Sequence, residues 1–126
     1  MKTESEAALG KCILLVDDER VVRESVRTLL AKDHHIVVEA NNGAEAFGMF
    51  TKGRFDLVMT DYLMPFLSGD ELAARIKRLA PEQPILMITG QEYKRSPKSP
   101  VNAVLAKPFD YKSLHEELVK LLCARQ

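Results

Sequence analysis

The chain has no surplus of charge of either sign, no apolar run of membrane length, and too few cysteines for a disulfide framework. Each absence removes a class of function. The formal net charge is zero, so no global field draws the chain to nucleic acid or to an anionic membrane. No stretch approaches the roughly 20 apolar residues of a transmembrane helix. The two cysteines, Cys12 and Cys123, stand at opposite ends with no metal-ligand spacing. Cys12 lies in an apolar run and is expected to fill core. Sequence leaves a pairing between them open, although a small secreted scaffold would carry more cysteines. Internal repeats and low-complexity linkers are also missing. The opening MKTESEAALG is polar and acidic and lacks the apolar core of a signal peptide. The expectation is a cytoplasmic protein with a flexible lead-in over residues 1–10 and one domain over residues 11–126. Domains of about 100–150 residues are the commonest size.

What is present is an alternation. Cys12–Val16 is a continuous apolar run, as in a strand buried on both faces. Val22, Val26, Leu29 and Leu30 then recur at helical spacing. Ile36–Val38 predicts a second strand, Phe55–Met59 a third, Ile85–Ile88 a fourth and Ala103–Ala106 a fifth. Asn42 with Glu45, and Ser68 with Glu71, carry the spacing of helix starts, and Asp110 caps a last helix. Strands and helices alternating in this way predict a parallel sheet with helices on both faces. The stretch GQEYKRSPKSPV breaks the rhythm, because Pro97 and Pro100 block helix continuation in the fourth crossover.

In an open parallel sheet, sites form beyond the carboxyl ends of the strands. The residues that follow these strands are Asp17 and Asp18, Asp61, Thr89 and Gly90, then Lys107 and Pro108. Singly, each has an ordinary explanation. Asp17 or Asp18 could cap a helix, Asp61 could be a turn residue, Thr89 a cap or turn hydroxyl, Lys107 a solvated lysine. Jointly they place carboxylates, a hydroxyl and an ammonium on one edge, and the combination outweighs the separate explanations. Clustered carboxylates repel and lose hydration, so they call for a cation or a raised pKa. An all-oxygen site suits Mg²⁺. A carboxylate is also a competent nucleophile, and phosphoryl transfer needs mainly positioning and charge stabilisation.

On the stretches ILLVDDE (13–19), DLVMTDYLMPFLSG (56–69), ILMITG (85–90) and VLAKPFD (104–110), the chain resembles the receiver domains of response regulators in two-component signal transduction. The resemblance implies a flavodoxin-like, doubly wound α/β fold with five parallel strands in the order 2-1-3-4-5. It implies that Asp61 accepts a phosphoryl group from a sensor histidine kinase or a histidine phosphotransfer protein. By the same resemblance Asp18, Asp61 and the Leu63 carbonyl would ligate Mg²⁺, with Asp17 reached through a water. Thr89 would bind the phosphoryl group, and Lys107 would pair with it beside a cis bond to Pro108. Backbone N–H groups at Leu63 and Gly90 would complete the cradle, and Leu63 and Gln91 would influence hydrolysis. The expected protein is a phosphoacceptor rather than a turnover enzyme, acting on an unknown downstream protein without contacting nucleic acid or membrane. No output domain follows the last predicted helix, so the expectation is a stand-alone receiver or one excised from a longer chain.

Two features depart from the family pattern. Members usually carry Tyr or Phe three residues before the lysine, and here that residue is Val104. The fourth crossover is short and broken by proline, so its helix is expected to be shortened or absent and the output face atypical. Val104 could equally be simple core. Lys94, Arg95 and Lys98 are read as a solvated loop ahead of a docking patch, and His34 and His35 as surface turn residues. Among other classes, a Mg²⁺-dependent phosphohydrolase would need an acid–base carboxylate near Asp61, yet Leu63 is apolar. A flavodoxin-like cofactor binder would have to cradle phosphate on Asp17-Asp18-Glu19, which repels it. A receiver that works only as a docking module remains the third alternative.

Overall fold

Successive strand residues point to opposite faces of a sheet, and in this chain both faces are apolar. The computed structural model describes residues 2–90, 93 and 97–123. Its strands are β1 (Cys12–Val16), β2 (Ile36–Ala40), β3 (Leu57–Asp61), β4 (Ile85–Thr89) and β5 (Ala103–Ala106). The helices are α1 (Glu4–Ala7), α2 (Arg20–Ala31), α3 (Gly43–Lys52), α4 (Gly69–Leu79) and α5 (Tyr111–Cys123). All strand pairs are parallel, in the order β2-β1-β3-β4-β5. The flavodoxin-like α/β fold expected from the sequence is therefore present.

Ile13, Leu15, Leu57 and Met59 pack with Val26 and Leu30 of α2 and with Leu114 and Leu118 of α5. The intervening residues Leu14, Val16, Val58 and Met87 pack on the other side with Leu72, Ala73 and Ile76 of α4. Burying each large side chain contributes about 1.5–3 kcal/mol, so these two layers fix the strands and with them the strand ends. The helix starts follow the expected chemistry. The Asn42 side chain accepts from Glu45 N–H at 2.7 Å, Ser68 and Glu71 close a capping box, and Asp110 accepts from Ser113 N–H at 2.9 Å. None of the described helices is long and apolar enough to cross a membrane.

Three local expectations need adjustment. β3 begins at Leu57 rather than Phe55, because Asp56 ties to the start of β1 through its N–H and its carboxylate, both at 2.8 Å from Cys12. Phe55 instead stacks near Phe50, with centroids 6.4 Å apart. His35 is not a surface residue. The chain turns at His34 with a φ of 62° and buries His35, whose Nδ1 accepts from Lys11 N–H at 3.0 Å. Burial pushes the His35 pKa down, favouring the neutral ring. The lead-in contains α1, closed by a Thr3–Glu6 capping box, and Ala8 behind it enters the core. Ser5 Oγ lies 2.8 Å from His115 Nε2, and Asp33 holds both His115 and Tyr111 at 2.7 Å.

No helix occurs among the described residues between β4 and β5. Pro97 and Lys98 form a turn, while Gln91, Lys94 and Arg95 lie outside the described residues. Both cysteines are free thiols, and Cys12 is half-buried.

One close approach anchors the site edge. A Cβ on Gly69, the first residue of α4, would lie 2.3 Å from the Asp61 carbonyl oxygen. Gly69→Ala should therefore destabilise the fold by about 1–3 kcal/mol, the usual cost of overpacking. A denaturant midpoint equal to wild type would show that the backbone yields without cost.

Candidate functional site

The parallel register carries four of the expected residues to one edge. Val16 pairs with Thr60, Asp61 with Ile88, and Thr89 with Ala106. Asp17, Asp61, Thr89 and Lys107 consequently stand at the carboxyl ends of β1, β3, β4 and β5. Asp17, Asp61 and Thr89 are buried, at 0%, 7% and 5% exposure.

Asp17 does not occupy the cap position of α2, which is Glu19, whose own side chain makes no capping bond. Instead, Asp17 Oδ1 accepts from Glu19 N–H at 2.9 Å, and its carbonyl accepts from the Arg23 guanidinium at 2.7 Å. Arg23 in turn is paired with Glu39 at 3.0 Å. This Arg23–Glu39 support was not found in the sequence, because α2 and β2 give no spacing that relates them. Asp61 Oδ1 accepts from Tyr62 N–H at 2.9 Å. The Lys107 ammonium stands 3.4 Å from Asp17 Oδ2 and 3.4 Å from Asp61 Oδ1.

Burial, and then the Asp17 charge, push the Asp61 carboxyl above its ordinary value of 3.8, while Lys107 and the Tyr62 N–H work against the shift. The site thus holds one buried carboxylate that resists ionisation beside an ammonium that restrains it. Thr89 is tied by its carbonyl to Lys107 N–H at 2.7 Å, and the Lys107–Pro108 bond is cis.

The donor set suits a hard cation. Carboxylate oxygens of Asp17, Asp18 and Glu19 lie within 4.8 Å of one another, and all are oxygen ligands of the type Mg²⁺ takes. Glu19 was not singled out in the sequence as a candidate, although it completes the Asp-Asp-Glu run. Asp61 is not part of that group of three; it is linked to Asp17 through Lys107, which supplies the positive charge at the junction. Leu63 is 71% exposed in the loop after β3. Gly90 has open space where a Cβ would point, and Gln91 falls outside the described residues.

Around the site, Val104, Tyr93 and Tyr62 are half-buried and each packs against the core cluster that contains Met87 and Leu72. The two rings lie 4.6 Å apart at 56°, and the Tyr93 hydroxyl bonds Asp70 at 3.1 Å and Ser99 at 3.2 Å. The short crossover therefore brings an aromatic ring next to the residue that follows Asp61. Another pocket, lined by Glu82, Pro84, Asn102, Glu117 and Lys120, lies at the opposite edge, where β4 and β5 begin.

The family model described as response regulator receiver domain matches residues 13–119. The chain is 35% identical over 120 residues to the chemotaxis protein CheY of Halobacterium salinarum, covering 92% of this chain and 100% of that one. It is 36% identical over 118 residues to the response regulator receiver protein CpdR of Brucella abortus, covering 90% and 98%. Among solved structures, the response regulator TrrA from Thermotoga maritima, in complex with Mg²⁺ and BeF, superposes with a TM-score of 0.84. That similarity is at 35% identity and covers 89% of this chain and 99% of the other. Several further relatives are longer, and the chain spans about half of each. By fold, by strand-end residues and by these matches, the chain belongs to the response regulator receiver domain family.

Proposed function

We propose that this chain accepts a phosphoryl group on Asp61, in the cytoplasm, from a sensor histidine kinase or a histidine phosphotransfer protein. The receiver unit proposed to do so spans residues 11–126. The observation that carries the reading is the Lys107 ammonium, 3.4 Å from both Asp17 and Asp61. A phosphoryl group on Asp61 would bring its negative charge beside that ammonium. In the proposed transfer an Asp61 carboxylate oxygen bonds to phosphorus as the phosphorus–nitrogen bond to the donor histidine breaks. The electron pair leaves with the imidazole. Lys107 balances the phosphoryl charge, and the Thr89 hydroxyl donates to one of its oxygens.

Asp17, Asp18, Asp61 and the Leu63 carbonyl are the groups proposed to hold Mg²⁺. Bound there, the ion would supply charge stabilisation to the phosphoryl oxygens. The residues' own part is to hold Asp61 in line, through the Tyr62 N–H, and to keep water from its inner side by burial.

The proposed output is atypical. Val104 stands in place of an aromatic ring, no crossover helix occurs among the described residues, and the crossover contributes Tyr93, whose ring meets Tyr62. The downstream protein is proposed to read that surface, without direct contact to nucleic acid or membrane.

Incubation with a small phosphodonor and Mg²⁺, followed by intact mass, tests the acceptor. A phosphoryl-sized increase is expected in wild type and none in Asp61→Asn; an unchanged increase in the variant would move the acceptor elsewhere. Mg²⁺ at tenfold its dissociation constant should stabilise the fold by about 1.4 kcal/mol, and Asp18→Ala should abolish that gain. A thermal melt that ignores millimolar Mg²⁺ would count against these ligands.

Metal-free stability also has a signed pH dependence. Because folding raises the Asp61 pKa, the native state binds more protons than the unfolded chain from the ordinary value of 3.8 upward to the raised one. Stability contributed at this group falls as pH rises through that window and stays lost above it. In metal-free buffer, Asp61→Asn should therefore be more stable than wild type at neutral pH, with the difference closing below the window. A variant equally destabilised at all pH values would contradict it.

A further inference from the structure

Phe66 sits in the loop between β3 and α4 at 101% relative exposure. Its φ is 69°, and around it Leu67 N–H donates to the Pro65 carbonyl at 2.8 Å. A three-residue turn with positive φ at its centre is the rarer, strained form of γ-turn. A bulky residue there is an outlier, since Gly, Asn or Asp adopts that conformation at less cost. The ring gains nothing from its own chain, neither burial nor a relaxed backbone.

The turn is nevertheless held on both sides. Leu67 is 6% exposed, and a Cβ on Gly43 would lie 2.7 Å from its Cδ2. Gly69 N–H, just beyond, donates to the Tyr62 carbonyl at 2.9 Å. An apolar ring displayed on a fixed backbone loses little freedom when a partner covers it, which suits a binding anchor. Backbone strain of this kind also collects at functional sites, where the surrounding structure enforces it.

The position selects the occupant. Asp61 is 7% exposed, so a protein delivering a phosphoryl group must bring its histidine down onto the sheet edge. There it meets the loop that leaves Asp61, where Leu63 adds a second exposed apolar side chain. We propose that Phe66 anchors the phosphohistidine-bearing donor protein, entering an apolar pocket beside the donor's histidine and so selecting which donor is accepted. This rests on Asp61 as the acceptor.

Two donors separate the ideas. Phosphoramidate needs no docking surface; a histidine phosphotransfer domain chosen because it labels the wild-type chain does. Phe66→Asn relaxes the turn and should melt at or above the wild-type temperature. Its labelling by phosphoramidate should stay within twofold of wild type, while the second-order rate of transfer from the protein donor falls at least tenfold. Phe66→Leu should recover part of that loss. Equal transfer from the protein donor overturns the proposal, and so does a parallel fall with both donors. A wild-type dimer that becomes monomeric in Phe66→Asn also overturns it, assigning the ring to a second copy of the chain. If phosphoramidate and Mg²⁺ fail to label even wild type, the acceptor reading itself falls, which is a different result from lost protein transfer alone.

Discussion

Two carboxylates at the ends of neighbouring strands, both nearly removed from water, share one ammonium. Asp17 and Asp61 each stand 3.4 Å from Lys107, and the sheet brings them together because β1 and β3 are adjacent and in register. Without a positive charge between them, two such groups would face mutual repulsion together with lost hydration. Lys107 compensates only in part, since the Asp61 carboxyl is still held above its ordinary pKa. Arg23, bonded to the Asp17 carbonyl, brings a second cation to the rear of the site, but Glu39 already engages it. The edge is left with unspent negative charge. That residual charge is what a bound cation would offset, and it ties the proposed Mg²⁺ dependence to the fold.

The strands and the site edge were legible because both follow from one-dimensional rules. Uninterrupted apolar runs such as Ile13–Val16 and Ile85–Ile88 have no polar face, so they had to be strands covered on both sides. Once a parallel sheet is fixed, the residue after each strand lies at the same edge, and Asp17, Asp61, Thr89 and Lys107 follow. What could not be read depended on contacts between distant segments. His35 looked like a surface turn residue because burial is decided by Lys11, 24 residues earlier, whose N–H it accepts. Phe55 looked like strand because it is aromatic, yet Asp56 fixes the entry into β3 through bonds to Cys12. The helical turn at Glu4–Ala7 has a local signal in the Thr3–Glu6 capping box, but its seat against α5, through Ser5 and His115, has none.

The crossover between β4 and β5 shows where the same reasoning stops and packing takes over. Two prolines excluded a long helix there, and none occurs among the described residues. The apolar core on that side of the sheet still needs a cover, and Tyr93 contributes to it. The ring meets Tyr62 at 4.6 Å, with its hydroxyl held by Asp70 at the start of α4 and by Ser99. Tyr62 directly follows Asp61, and its N–H already bonds the Asp61 carboxylate. In the proposed phosphorylated state the Asp61 carboxylate gains a new bonding partner, and the Tyr62 N–H is the backbone group bonded directly to it. The ring that packs on Tyr62 is then not on β5 but Tyr93, in the crossover. A valine at position 104 is compatible with the proposed function on these terms, because it packs against the core cluster and leaves the aromatic position to the crossover. On the proposed reading the input chemistry is kept while the output surface differs, and Tyr62 links the two through its N–H to Asp61 and its ring to Tyr93.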